Sequence, residues 1–191
     1  MTVRDRPRER LFQTAARLFH QHGYRAVGVD AIAAEAGIGK MTLYRHFPSK
    51  DDLIVAYLRA SDEGFWKYFE RVTGDATTAR EILLAFFTAL QSYTSSPHCY
   101  GCPFLHIAAE YPEADHIGHQ IAVEHKQAVR THFQHLAQAA GAERPATLAD
   151  ALLLLMDGVY MAARMFGSSP ASPALNVAEA ARILIDAYCA P

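Results

Sequence analysis

Residues 37–48 read Gly-Ile-Gly-Lys-Met-Thr-Leu-Tyr-Arg-His-Phe-Pro. A helix over Lys40 to Phe47 puts Leu43 and Phe47, four apart, on its inner face and leaves Lys40, Met41, Thr42, Tyr44, Arg45 and His46 outward. That outer set holds cations for phosphate oxygens, a hydroxyl and a guanidinium able to bond base edges, and apolar atoms suited to a thymine methyl. The preceding run DAIAAEA offers Ile32 and Ala33 inward. Two short helices joined by a glycine-containing turn describe a helix-turn-helix, with the second helix presented to the major groove of DNA. Lys50 follows in the first turn of the next helix, whose amide-rich start also suits a phosphate. Arg4, Arg6, Arg8 and Arg10 read as a basic N-terminal arm. On pattern alone, a short amphipathic helix with a solvated basic face stays open, because the same geometry recurs in proteins that never touch DNA.

A second group of chemistry-bearing residues is His98, Cys99, Cys102 and His106. C-x-x-C flanked by imidazoles suits zinc, yet structural zinc closes with a second ligand pair at fixed spacing and none is evident, so no metal ligand is assigned. A thiol pair that oxidises is an alternative, as is a small buried apolar role for Cys102 at a helix start. His116 and His119, and again His132 and His135, are three apart and share helix faces, with His125 seven before His132. Beside Glu124, Lys126 and Arg130 this row reads as a solvated face. No catalytic residue and no cofactor are assigned: a nucleophile elbow, an H-E-x-x-H pair and a phosphate-cradling glycine loop are all missing from the sequence. A helical-bundle metalloenzyme is thus the weaker rival to a DNA-binding regulator, and a metal- or thiol-responsive regulator the nearer one.

The elements that must hold these residues are helices. Proline and glycine cut the chain into segments of helical length, and no segment alternates with the period of a half-buried strand. Arg8 to His22 carries an apolar stripe and stops at Gly23. Val29 to Ala36 and Lys40 to Phe47 follow. Capping boxes at Ser49–Asp52, Thr78–Glu81, Thr147–Asp150 and Asn176–Glu179 announce four longer helices. A short apolar segment runs to Tyr111, and a His-rich helix covers about Asp115 to Ala140.

With 51% hydrophobic and 20% charged residues over 191 positions, the composition is globular rather than disordered or collagenous. The net charge of -2 conceals an asymmetry: residues 1–60 carry ten Lys/Arg against six Asp/Glu, and residues 61–191 eight against fourteen. A basic third on an acidic remainder fits a polyanion at one end. Leu148 to Phe166 approaches the length of a membrane span, but Asp150, Asp157 and Arg164 inside it are costly in hydrocarbon, so it is expected to be a buried core helix and no membrane partner is assigned. The start MTVRDRPRERLFQ has no apolar leader, from which a cytoplasmic location with reduced thiols is expected.

The run ARLFHQHGYRAVGVDAIAAEAGIGKMTLYRHFPSKDDLIVAYL resembles the N-terminal domain of the TetR/AcrR family of transcriptional regulators, over about residues 5 to 65. It carries, in order, the LF-x-x-x-G-Y first helix, IA-x-x-AG second helix, T-L-Y-x-H-F recognition helix and S-K-x-x-L continuation. The resemblance implies an all-α chain: a three-helix DNA-binding head in residues 1–65, with its helix-turn-helix at about 28–47, and a helical-bundle body for ligand binding and dimerisation in residues 66–191. It implies a homodimer on double-stranded operator DNA and a small-molecule effector. The family's DNA-contacting positions fall on Lys40, Met41, Thr42, Tyr44, Arg45, His46 and Lys50, with Gly39 heading the helix. Gly28 and Gly39 stand where the family often has a capping or phosphate-binding hydroxyl. The segment CYGCPFLHIAAEYPEADHI resembles a branch with LmrA-like regulatory domains, which implies a ligand pocket beside the helix it opens.

For that pocket the dense aromatic and Met residues of the body supply Trp66, Phe69, Phe86, Phe87, Phe104, Leu105, Met156, Tyr160 and Met161, with Gln91, Cys102 and His106 as polar neighbours; they suit a small apolar or aromatic effector. They are equally core residues by spacing. The helix from Leu148, apolar nearly all round, and the last helix need cover on every side, which predicts a two-fold interface through Leu152, Leu155, Val159, Ala163, Ile183 and Ala187.

Overall fold

The computed structural model describes residues 5–97 and 99–189. Its elements in chain order are α1 (Asp5–His22), α2 (Val29–Glu35), α3 (Lys40–His46), α4 (Lys50–Thr73), α5 (Ala79–Thr94), α6 (Pro103–Glu110), α7 (Ile117–Ala139), α8 (Pro145–Phe166), a 3-10 turn (Pro173–Asn176) and α9 (Val177–Tyr188). Among the described residues there is no strand, only an isolated bridge between Ala142 and Cys189. The chain divides into two compact units, Met1–Glu63 with Pro103–Val123, and Gly64–Cys102 with Glu124–Pro191. A single sequence boundary after residue 65 does not anticipate the second crossing, by which α6 joins the N-terminal unit.

In the first unit α1 closes at Gly23, whose φ of 84° is left-handed backbone that favours glycine. Leu11, Ala15, Phe19, Ile32, Leu43 and Phe47 are buried. The turn between α2 and α3 is tied by the Ile38 N–H, which donates to the Ala33 carbonyl at 2.9 Å. Three arginines of α1 brace this pair of helices. Arg10 donates to the carbonyl of Ala36, Arg17 pairs with Glu35, and the Arg8 guanidinium lies 5.0 Å over the Phe47 ring. Because α1 begins at Asp5, Arg6 of the expected basic arm belongs to the same helix as Arg8 and Arg10, and Arg4 lies outside the described residues.

The second unit is built on α5, α8 and α9 in mutual contact. Phe69, Leu83, Phe86, Phe87, Leu90, Phe133, Leu152 and Met156 belong to one buried cluster. Phe86 stands at its centre, 4.9 Å from the Phe69 ring and 5.6 Å from that of Phe133. By length and composition α8 is apolar enough to cross a membrane. Leu148, Ala149, Leu152, Met156 and Val159 are nevertheless buried in this core, Ala163 is buried as well, and Asp150 and Asp157 pair with Arg130 and Lys126 of α7.

Two of the four expected capping boxes form. Ser49 accepts from the Asp52 N–H at 3.1 Å while Asp52 accepts from that of Ser49 at 2.9 Å, and Thr78 and Glu81 make the same exchange. The box expected at Thr147 is replaced by a start at Pro145, whose fixed φ suits a first helical turn. Asn176 does precede α9, without a side-chain cap, because the 3-10 turn runs directly into the helix.

Candidate nucleic-acid interface

Helix α3 presents what its spacing predicts. Leu43 is wholly buried and Phe47, its C-cap, is 3% exposed, whereas Met41 is 83% exposed and Lys40, Tyr44 and Arg45 are exposed beside it. Thr42, His46 and Lys50 are half-buried. Burial is the leading influence on Lys50 and lowers its pKa, against the charges of Glu110 and Asp51. Lys40 is held 2.7 Å from the Asp30 carboxylate of α2, whose hydrogen bond raises its pKa. Nothing in the sequence singles out Asp30 as a partner; its place in the first turn of α2, ten residues before Lys40, is a signal only once the turn geometry is known.

Both helices of this pair lack a side-chain cap: Gly28 and Gly39 occupy the N-cap positions in extended backbone, and no atom lies within 4 Å of where a Cβ would stand at either. Among the described residues, nothing beyond its chain neighbours fills the space a side chain at Gly39 would take, so a partner can approach there closely. Arg6 is exposed on the first turn of α1.

Comparison with known proteins sets this unit in context. Residues 11–57 match the family model described as bacterial regulatory proteins, tetR family. A crystal structure of a TetR-family transcriptional regulator from Streptomyces coelicolor is 32% identical, with a TM-score of 0.86, over 96% of this chain and 94% of that one. The chain belongs to the TetR family of transcriptional regulators. A TetR-type protein from Streptomyces avermitilis is similar at 30% identity and TM-score 0.83, covering 95% of this chain and 97% of that one. An HTH-type transcriptional regulator of Staphylococcus aureus strain USA300 is 33% identical over 76 residues, 40% of this chain, which spans about two fifths (41%) of that relative's length. Membership of a regulator family, rather than any missing motif, displaces the enzyme alternative.

In this TetR-family chain the twelve residues expected to line a pocket fall into different settings. Phe69, Phe86, Phe87 and Met156 are core, and Trp66 packs edge-on against His132 at 5.3 Å. The Gln91 side-chain oxygen accepts from the Ala178 N–H at 3.2 Å and so holds the start of α9. Cys102 is buried, Tyr160 sits 6.3 Å ring to ring from Tyr93, and Met161 is exposed. Phe104, Leu105 and His106 lie on α6 in the first unit. A shallow depression of about 520 Å³ opens beside Trp66, lined otherwise by α7 residues Glu124, Gln127, Ala128, Thr131, His132 and His135.

The histidine row is not one solvated face. His125 is buried against Phe65, His132 is half-buried with its Nε2 buried and without a hydrogen-bond partner, and His116 stacks on Tyr111. His125 and His132, seven apart on α7, both turn toward α4. Cys99, Cys102 and Cys189 are buried, and burial raises the Cys99 and Cys189 thiols, which disfavours the thiolate. Among the described residues no group of three His, Cys, Asp or Glu is placed to hold a metal; His98 lies outside them.

Of the residues expected at a dimer face, those on α8 are corrected and those on α9 are not. Leu152, Val159 and Ala163 are buried within the chain, and Leu155 is half-buried. The large apolar residues that α8 turns outward are Leu154, Met161, Met165 and Phe166, the first three at spacings of seven and four, and on α9 Ile183 and Ala187 are exposed. A helix read as apolar all round has two apolar faces, and only packing tells which one the chain itself covers.

Proposed function

We propose that the chain is a cytoplasmic, homodimeric repressor that reads a palindromic operator in double-stranded DNA through α3 and releases it when a small apolar or aromatic molecule binds the second unit. The outward set of α3 carries this reading. With Leu43 and Phe47 committed to the core, Met41, Thr42 and Arg45 face outward to meet base edges and Lys40 joins them on exchanging its Asp30 partner for a base, while Tyr44, His46 and Lys50 hold phosphates beside the Gly39 backbone. Arg6 adds a charge from the first turn of α1.

The outward apolar stripe of α8 and α9 supports the dimer. Leu154, Met161, Met165, Ile183 and Ala187 are exposed in the single chain, and a two-fold axis covers such a face with its own copy. Two heads then meet half-sites about 34–36 Å apart. The aromatic density of the second unit supports the effector class. Helix α4 contributes to both units as one unbroken helix, and an effector biases the head through it only as far as it binds one conformation better than another.

Selection of bound duplexes from a random library at near-physiological salt tests the reading. An enriched palindrome, bound with a steep loss of affinity as salt rises, is the expected outcome. A folded dimer that enriches nothing overturns it.

A further inference from the structure

Tyr24 is wholly buried and fastens both ends of α6. Its hydroxyl donates to the carbonyl of Pro103, the first residue of that helix, at 3.0 Å. Its backbone N–H donates to both carboxylate oxygens of Glu110, the last residue, at 3.0 Å each. Glu110 also accepts from the Arg25 N–H at 2.6 Å. Amide donors on an ionised carboxylate are charge-assisted and stronger than neutral pairs. The clamp lands just beyond α1, at Gly23, where a Cβ would collide with the Glu110 carboxylate and where the positive φ also calls for glycine.

The same segment is tied at a second place. The Arg25 guanidinium lies 4.9 Å over the Tyr111 ring, Tyr111 stacks on His116 at 4.2 Å with 20° between the planes, and His116 Nε2 stands 3.9 Å from the Asp51 carboxylate in the first turn of α4. Helices α2 and α3 lie in sequence between these two anchorages, Gly23–Arg25 on one side and Asp51 on the other. Residues 103–116 therefore bracket the helix-turn-helix at both of its roots.

We infer that this segment is a strap that fixes the angle at which α3 is presented, and that Glu110 is a positioning residue for sequence-specific DNA binding. The inference rests on the DNA-reading role proposed above. Glu110 touches no outward residue of α3; it acts on the turn from which α2 and α3 depart. Phosphate contacts by long flexible cations survive a small tilt of α3, but hydrogen bonds to base edges weaken steeply with distance and angle. Loosening the strap should thus erode discrimination between sequences before it erodes binding as such.

The test compares full-length Glu110→Ala, Glu110→Gln and Tyr24→Phe with the parent by fluorescence anisotropy, on the selected operator and on a scrambled duplex across a salt series. Hydrogen exchange over residues 24–47 is followed in parallel. Glu110→Ala is expected to weaken operator binding roughly tenfold, the size of one charge-assisted hydrogen bond, and to speed exchange in α2 and α3, while scrambled-duplex affinity does not fall, because the same change removes a negative charge that acts on Lys50. Glu110→Gln, which keeps an acceptor oxygen, should recover part of the loss, and Tyr24→Phe should show a smaller loss in the same sense. A folded Glu110→Ala with parental operator affinity overturns the inference, and so does an equal loss on both duplexes. Should Glu110→Ala not fold, Tyr24→Phe decides, and parental discrimination there overturns it. A parent that prefers no sequence sinks the DNA-reading role instead, while unchanged exchange of α2 and α3 in Glu110→Ala still sinks the strap.

Discussion

In the first unit a small core takes up Leu11, Phe19, Ile32, Leu43 and Phe47, and the residues left outside on α3 are the ones able to meet DNA. In the second unit the side chains suited to an apolar effector, Phe69, Phe86, Phe87 and Met156, are the core itself. A site on a convex surface is what packing leaves over, and differs in residue type from what packing consumes. A site inside a bundle draws on the same residue types as the interior, and only geometry separates the two.

The largest effect that sharpens this contrast is in the second unit. Phe86→Ala should lower stability by about 3–5 kcal/mol in chemical denaturation, as expected for truncating a fully buried ring. A loss under about 1 kcal/mol would instead mark Phe86 as lining space that the fold leaves empty. Next comes Arg45→Ala in the first unit. It should weaken specific DNA binding by about 1–3 kcal/mol and relax preference at one base position, with the melting temperature unchanged. A parallel loss of stability would show that the outward face of α3 is not separate from the core.

The outward stripe of α8 is tested by Leu154→Asp, which should raise the dimer dissociation constant roughly tenfold or more in analytical ultracentrifugation while helix content holds. Leu152→Ala, two residues away on the buried side, should unfold the chain more readily and leave the association of folded protein alone. Smaller again is Gly28→Ser. Gly28 has φ -85° and ψ 153°, backbone that serine adopts freely, and a hydroxyl there supplies the missing cap of α2. The gain should be roughly 0.5–1 kcal/mol in thermal unfolding.

The capped helix α5 gives the complementary test. Hydrogen bonds from Thr77 and Thr78 hold the Glu81 carboxyl down at about 2, from the usual 4.5. A depressed carboxyl contributes stability that is present above pH 4.5 and is lost as pH falls through about 2. Glu81→Gln should flatten the acid limb of the stability profile within that window, and an unchanged limb would show that the cap does not act.

The legible parts of this molecule were those governed by local rules. Leu43 and Phe47 four apart, the glycines at 37 and 39, and the boxes at Ser49 and Thr78 each follow from helix geometry within a few residues. Glu110 was invisible, because a carboxylate at the end of a short helix declares its role only when the turn at Tyr24, 86 residues earlier, is brought to it. Leu152 and Leu154 illustrate the same limit. Both are apolar on an apolar helix, and which of them faces the chain's own core is decided by α5 and α9.

The distribution of sulfur across the structure sets how the molecule meets an oxidant. The three thiols are buried, as is Met156, whereas Met41, Met161 and Met165 are exposed. Methionine sulfoxide is polar and stiffer in its demands than the thioether, and it is reversible by dedicated reductases. Oxidative damage in this chain would therefore register first on α3, the helix proposed to read bases, and on the outward stripe of α8, leaving the interior intact, so that a protein aged in air loses surface contacts long before it loses its fold.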